Sequence, residues 1–267
     1  MEIIGYLASI LIGISLGLIG SGGSILTVPL LVYFFHVAPL LATTYSLAIV
    51  GLSSIAGVIS RLKQKLVDFK TIFIFGIPSI IGVFSSRKYL LPAIPEQMNW
   101  GPHFMLTKSN FIMLFFATLM LIAALSMILG KNKKEEEGIL PVYGFTLMLV
   151  GLAEGLLTGI VGAGGGFLII PALVILAKLP MKKAIATSLV IISIKSLVGF
   201  TGDLLSTAID WSFLSKIILL ATLGIITGNY LNKKMDGAKL KKGFGYFVLA
   251  MAFIIFIEQF FFSNLVN

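Results

Sequence analysis

The chain contains no cysteine. That excludes disulfides and thiolate metal sites. Histidine is nearly absent too, with only His36 and His103, so a histidine-rich metal site is excluded. Charge is scarce: charged residues make up 12% of the 267 residues, against roughly 25% in a soluble domain. No nucleotide motif is present, since G-x-x-x-x-G-K-[ST] does not occur and Gly162, Gly164 and Phe167 break G-x-G-x-x-G. An intramembrane hydrolase built on Ser21 or Ser24 would need a base, and both histidines fall in predicted loops. The reading is therefore not an enzyme, with no metal and no cofactor.

What is present is apolar. Hydrophobic residues make up 58% of the chain, and the mean hydropathy is +1.05. These values predict an all-α integral membrane protein, with room for about eight to ten crossings of about 20 residues each. The apolar runs are continuous, whereas barrel strands alternate over ~10 residues. The first run has no basic n-region and reads as a retained helix.

Ten apolar segments follow one another. The first five are Ile3–Leu18, Ser24–Phe35, Pro39–Ser60, Phe69–Phe84 and Phe111–Leu129. The second five are Ile139–Val161, Phe167–Ala177, Ala184–Thr201, Phe213–Tyr230 and Phe244–Phe262. A charged run, KNKKEEEG at residues 131–138, separates them and reads as a cytoplasmic linker. This divides the chain into a first transmembrane repeat, 1–130, and a second, 139–267.

The halves repeat one another. GLIGSGGSILTVPLL near the amino end answers GIVGAGGGFLIIPAL later, at an offset of 142 (159 − 17, 171 − 29). At the same offset Ser46 meets Ser188, Ser54 meets Ser196, Gly57 meets Gly199, Asp68-Phe69 meets Asp210-Trp211 and Gly82 meets Gly224. Symmetry of this kind marks transporter folds.

Charge indicates how the halves point. Lys and Arg concentrate in short cytoplasmic loops. Arg61/Lys63/Lys65/Lys70 follow the third segment, whereas the corresponding loop of the second half carries Asp203, Asp210 and Lys216. Lys178/Lys182/Lys183 precede the eighth segment, where the first half offers only His36. Loops inside in one half thus match loops outside in the other, which predicts an inverted-topology repeat with both termini outside. The connection Ser85–Asn110 is then external despite Arg87, Lys88 and Lys108. The +9 net charge is assigned to cytoplasmic loops and contact with the lipid bilayer, not to nucleic acid.

The glycine stretches point to a site. The segments after them hold about 12 and 11 apolar residues, enough for only ~18 Å of helix in a hydrocarbon core of ~30 Å. Short, Gly/Pro-interrupted segments at matching places in two halves are a sequence pointer to a transporter's binding site. A helix starting after each cluster has free N–H groups and a partial positive charge. Two such ends would cradle an anion. Gly22, Gly23, Ser24, Gly164, Gly165 and Gly166 are the predicted substrate-binding backbone. Pro29 and Pro171, inside the two short segments, are expected to kink them. Gly13/Gly17 and Gly155/Gly159 fit small-xxx-small helix packing instead.

Two charges lie deep in apolar segments. Lys195 is the only cation in the middle of such a run and is a candidate to hold an anion; its alternative is an ion pair with Glu154 or Asp203. Glu154 is a candidate for carrying a coupling proton, or for neutralising Lys195. Ser46 and Ser188 would either donate to a bound oxyanion or back-bond to their helix. Asp68 and Asp210 read as helix caps.

The paired Gly-x-x-Gly-x-Gly-Gly…Pro stretches, each followed by an Ala/Thr/Ser-rich helix (ATTYSLAIVG and AIATSLVIIS), resemble the sulfite exporter TauE/SafE family. The first copy departs in having Ser24 where the second has Gly166. The resemblance implies export of small sulfur-containing anions such as sulfite, sulfoacetate or related organosulfonates across the plasma (inner) membrane. An anion channel of the same architecture, or an uptake permease for another small anion, is the alternative.

Overall fold

The computed structural model describes residues 2–99, 105–129, 144–162, 164–204, 208–232 and 237–261. The predicted linker at 131–138 lies outside them. The helices are α1 (Glu2–Ile19), α2 (Thr27–Phe35), α3 (Pro39–Lys63), α4 (Phe69–Ala93) and α5 (Lys108–Leu129) in the first half. The second half has α6 (Gly144–Val161), α7 (Gly166–Ile175), α8 (Met181–Asp203), α9 (Trp211–Asn232) and α10 (Gly237–Phe261). A short antiparallel ribbon, β1 (Gln97–Asn99) and β2 (Met105–Thr107), joins α4 to α5. Among the described residues seven helical stretches are long and apolar enough to cross a membrane.

Local chemistry sets the boundaries. Pro39 starts α3, where its missing N–H has no helical partner to lose. The Asp68 carboxylate accepts from Thr71 N–H at 2.8 Å, and Asp210 accepts from Phe213 N–H at 3.0 Å. Both capping expectations hold. The outer faces of α4 and α9 expose Phe73, Ile77 and Ile81, and Leu219, Leu223 and Ile226. Apolar exposure on this scale suits lipid rather than water.

Glycines allow the helices to approach each other. A Cβ on Gly13 of α1 would lie 2.0 Å from the Ala221 carbonyl oxygen of α9. Its counterpart, Gly155 of α6, would meet the Ser79 carbonyl oxygen of α4 at 2.1 Å. Gly224 meets the Ile10 carbonyl and Gly82 meets the Leu152 carbonyl. Gly57 packs on Leu189 and Ile225, and Gly199 on Leu47 and Val83. Asp68 N–H donates to Thr187 Oγ1, and Asp210 N–H to the Tyr45 hydroxyl. In every pair each residue is replaced by the one 142 positions away. The first helix of each half therefore packs on the fourth helix of the other. The bundle closes around a core of Phe116, Phe167, Leu31 and Ile170.

Two expectations are corrected. The fourth segment does not end at Phe84: α4 continues through a π-helical turn, Ser86–Leu90, to Ala93. Arg87 thus lies in a helix and is only 2% exposed. Arg61 is not a loop charge either. It sits in the last turn of α3, buried, with Nη1 donating to Asn232 Oδ1 and Nη2 to the Gly17 carbonyl, both at 3.0 Å. The first glycine stretch does interrupt its helix: Gly20 has a positive φ of 72°, Gly20–Leu26 forms a 3-10 segment, and α2 folds back along α1, with the Tyr6 and Phe35 rings 5.3 Å apart.

Candidate functional site

The second glycine stretch interrupts its helix as well. Gly162, Gly164 and Gly165 all have positive φ, at 71°, 65° and 70°. L-residues with a side chain rarely adopt that conformation, which explains the need for glycine. α6 stops at Val161, and α7 starts after Gly165. In the first stretch only Gly20, the counterpart of Gly162, has positive φ, at 72°.

Polar side chains surround this break. Glu154 and Thr158 are one turn apart on α6 and so share a face. A Cβ on Gly165 would lie 2.2 Å from Glu154 Oε1 and 2.3 Å from Thr158 Cγ2. A Cβ on Gly164 would lie 2.9 Å from Ser196 Oγ of α8. A Cβ on Gly166 would lie 1.9 Å from the Ser21 carbonyl oxygen, and Ser21 Oγ donates to the Gly166 carbonyl at 3.0 Å. The two glycine stretches therefore touch, with the 3-10 segment of one against the helix start of the other.

Lys195 is completely buried. It is not the lone cation that the sequence suggests. Its ammonium donates to Glu154 Oε1 at 2.5 Å, to Thr158 Oγ1 at 3.3 Å and to Ser79 Oγ at 3.4 Å. Those three acceptors match the three protons of an ammonium. Ser79 in turn donates to Glu154 Oε2 at 2.6 Å. A buried charge needs this degree of pairing, because transfer out of water without partners is prohibitive. The cluster has no repeat-matched counterpart: the positions 142 residues away are Ser53, Ile12 and Leu16 in the first half and Ala221 in the second.

The other predicted residues are placed as follows. Gly23 packs against its own α1, near Leu16 N and Ser15, and Ser24 Oγ donates to the Ser21 carbonyl at 2.8 Å. Gly22 is buried in the 3-10 segment. Ser188 back-bonds to the Ile185 carbonyl at 2.9 Å. Ser46 is fully buried and its hydroxyl has no partner among the described residues. The repeat-matched Ser54 and Ser196 hydroxyls are also without partners.

A second buried ion pair escaped the sequence reading. Arg87 Nη1 donates to Asp203 Oδ2 at 2.9 Å and to Thr43 Oγ1 at 3.1 Å, while Thr44 Oγ1 donates to Asp203 Oδ2 at 2.7 Å. Asp203 therefore serves Arg87 and not Lys195. Arg87 could have been found only by carrying the helix past the polar run SSRK, where the apolar signal stops.

The sequence profile described as "Sulfite exporter TauE/SafE" matches residues 5–255. A probable membrane transporter protein of Xylella fastidiosa (strain 9a5c) is 28% identical over 252 residues, covering 92% of this chain and 91% of that protein. The probable membrane transporter protein YunE of Bacillus subtilis (strain 168) is 28% identical over 247 residues, covering 82% and 84%. YdhB of the same organism, also a probable membrane transporter protein, is 27% identical over 235 residues, covering 88% and 92%. No solved structure matches. With a profile match across nearly its whole length and a bundle of membrane-length helices, the chain belongs to the sulfite exporter TauE/SafE family.

Proposed function

We propose that this chain is a secondary transporter that exports small sulfur-containing anions: sulfite, sulfoacetate or related organosulfonates. The substrate binds near the bilayer midplane between two inverted halves. The observation that carries this reading is the buried Lys195–Glu154 pair at the Gly164–Gly165 break. α7 begins there with backbone N–H groups directed at the same place, which suits an acceptor-only ligand such as a sulfonate.

The pair supplies a switch. With Glu154 ionised, Lys195 is occupied and the cluster is neutral. With Glu154 protonated, the cluster gains a positive charge and the ammonium is free to take an anion. Ser46 and Ser196, whose hydroxyls have no partner among the described residues, supply further donors, and Gly22, Gly23, Ser24 and Ser188 complete the proposed substrate contacts. A negative cell interior favours anion exit by about 2.3 kcal/mol per charge per 100 mV.

Flux from proteoliposomes loaded with sulfite, sulfonates or carboxylates tests the reading. Sulfite and sulfonates should leave faster than carboxylates under an inside-negative potential. Lys195→Met should abolish efflux, and Glu154→Gln should make it independent of pH. Unchanged flux in both variants would remove the pair from the mechanism. A turnover far above carrier rates would assign a channel.

A further inference from the structure

The geometry points to Arg87 as a second contact for the transported oxyanion, one that receives two of its oxygens on the Nε–Nη2 edge of the guanidinium. This rests on the anion-transport reading above. Arg87 is buried, and Nη1 is committed to Asp203 and Thr43. Nε and Nη2 are also buried, and neither has a hydrogen-bond partner among the described residues. Those two nitrogens present parallel N–H bonds, the fork that matches a carboxylate, sulfonate or sulfite. Leaving a charged donor pair buried and unused is costly, and buried donors without partners are uncommon in native proteins.

The fork sits at the same break as the Lys195 cluster. A Cβ on Gly162 would lie 2.2 Å from Arg87 Nη2 and 2.3 Å from Thr43 Cβ. Gly162 is followed within three residues by Gly164 and Gly165, whose missing side chains face Ser196 and Glu154. An anion leaving Lys195 along this turn meets Arg87 next. The other buried arginine shows the contrast. Arg61 gives both Nη1 and Nη2 to protein acceptors and keeps only Nε unpartnered. It has no fork to offer and acts as a strut between α3, α1 and α9. At the repeat-matched position of Arg87 stands Asn229, so the contact belongs to one half only. The fork is closed off in the state seen. An anion occupies it when α4 shifts against α6.

Arg87→Lys is the discriminating variant. It keeps the charge and can still pair with Asp203, but it loses the fork. Sulfite and methanesulfonate affinity of the purified protein in nanodiscs should fall about tenfold or more. Chloride, a sphere with no use for a fork, should bind the variant and the wild type alike. Equal sulfite affinity in the two proteins would overturn the assignment. If the wild type binds and transports no oxyanion at all, the transport reading fails and takes this one with it. Should Arg87→Lys not fold, anomalous scattering from selenite bound to the wild-type protein decides. Selenium within hydrogen-bond reach of Arg87 Nε and Nη2 supports the contact, and selenite found only elsewhere refutes it.

Discussion

Lys195 and Glu154 hold each other in a place where neither could stay alone. Lys195→Met leaves a carboxylate buried, and Glu154→Gln leaves an ammonium buried. Either single change should cost about 3–5 kcal/mol, whereas the double change should restore stability without restoring transport. Thermal unfolding in detergent checks the first claim and proteoliposome flux the second. The partnerless hydroxyls make the opposite case. Ser46→Ala and Ser196→Ala remove groups that bond to nothing in the structure, so stability should be unchanged or slightly raised. Sulfite efflux should nevertheless fall in both, and unimpaired efflux would return them to packing. The sequence exposed Lys195 and Glu154 because a charge stands out in an apolar run. It could not assign their pairing, since one lies on α6 and the other on α8, 41 residues apart. Arg87 was hidden for the converse reason: its neighbours Ser85, Ser86 and Lys88 make a helix look like a loop.

Among the elements, the glycine joints are the stiffest test of the fold. A methyl at Gly13 or Gly155 would press on a carbonyl oxygen of the facing helix. Gly13→Ala and Gly155→Ala should each lose about 1–3 kcal/mol by overpacking, and by similar amounts, because their surroundings correspond residue for residue. A large stability loss in only one of the pair, read from thermal unfolding, would mean that the two joints are not equivalent. These positions were legible from small-xxx-small spacing. The difference between the two glycine stretches was not. Both turn the chain, but Gly20 alone is left-handed in the first, where Ser24 back-bonds to Ser21, while Gly166 in the second must admit the Ser21 carbonyl. That is a contact between halves, and spacing within one half carries no record of it. A substituent at Gly165 would now be expected to cost stability as well as binding, since it meets Glu154 and a left-handed backbone together.

At the scale of the molecule, the reciprocal packing of the halves gives the two-fold relation that the proposed inverted arrangement needs, and the buried charges remove an obstacle to that proposal. The external assignment of the α4–α5 connection was awkward while it carried three free cations. Arg87 is now paired with Asp203, and Lys108 lies 3.3 Å from Glu96. Lys63, Lys65 and Lys70 remain exposed around the α3–α4 connection, as do Lys178, Lys182 and Lys183 around the start of α8. With those six residues in the cytoplasm, tags fused to either terminus should be reached by an impermeant label from outside intact cells. Labelling only after permeabilisation would reverse the topology.

The two glycine turns have a mechanical consequence. α2 is folded back on α1, Tyr6 against Phe35, and the turn between them holds one left-handed residue, Gly20, followed by a hydrogen-bonded 3-10 segment. The turn between α6 and α7 holds three left-handed glycines. The second hinge therefore has the freer backbone of the two. Amide exchange should register that difference as faster exchange across residues 164–168 than across 20–26, and it should slow when sulfite is bound.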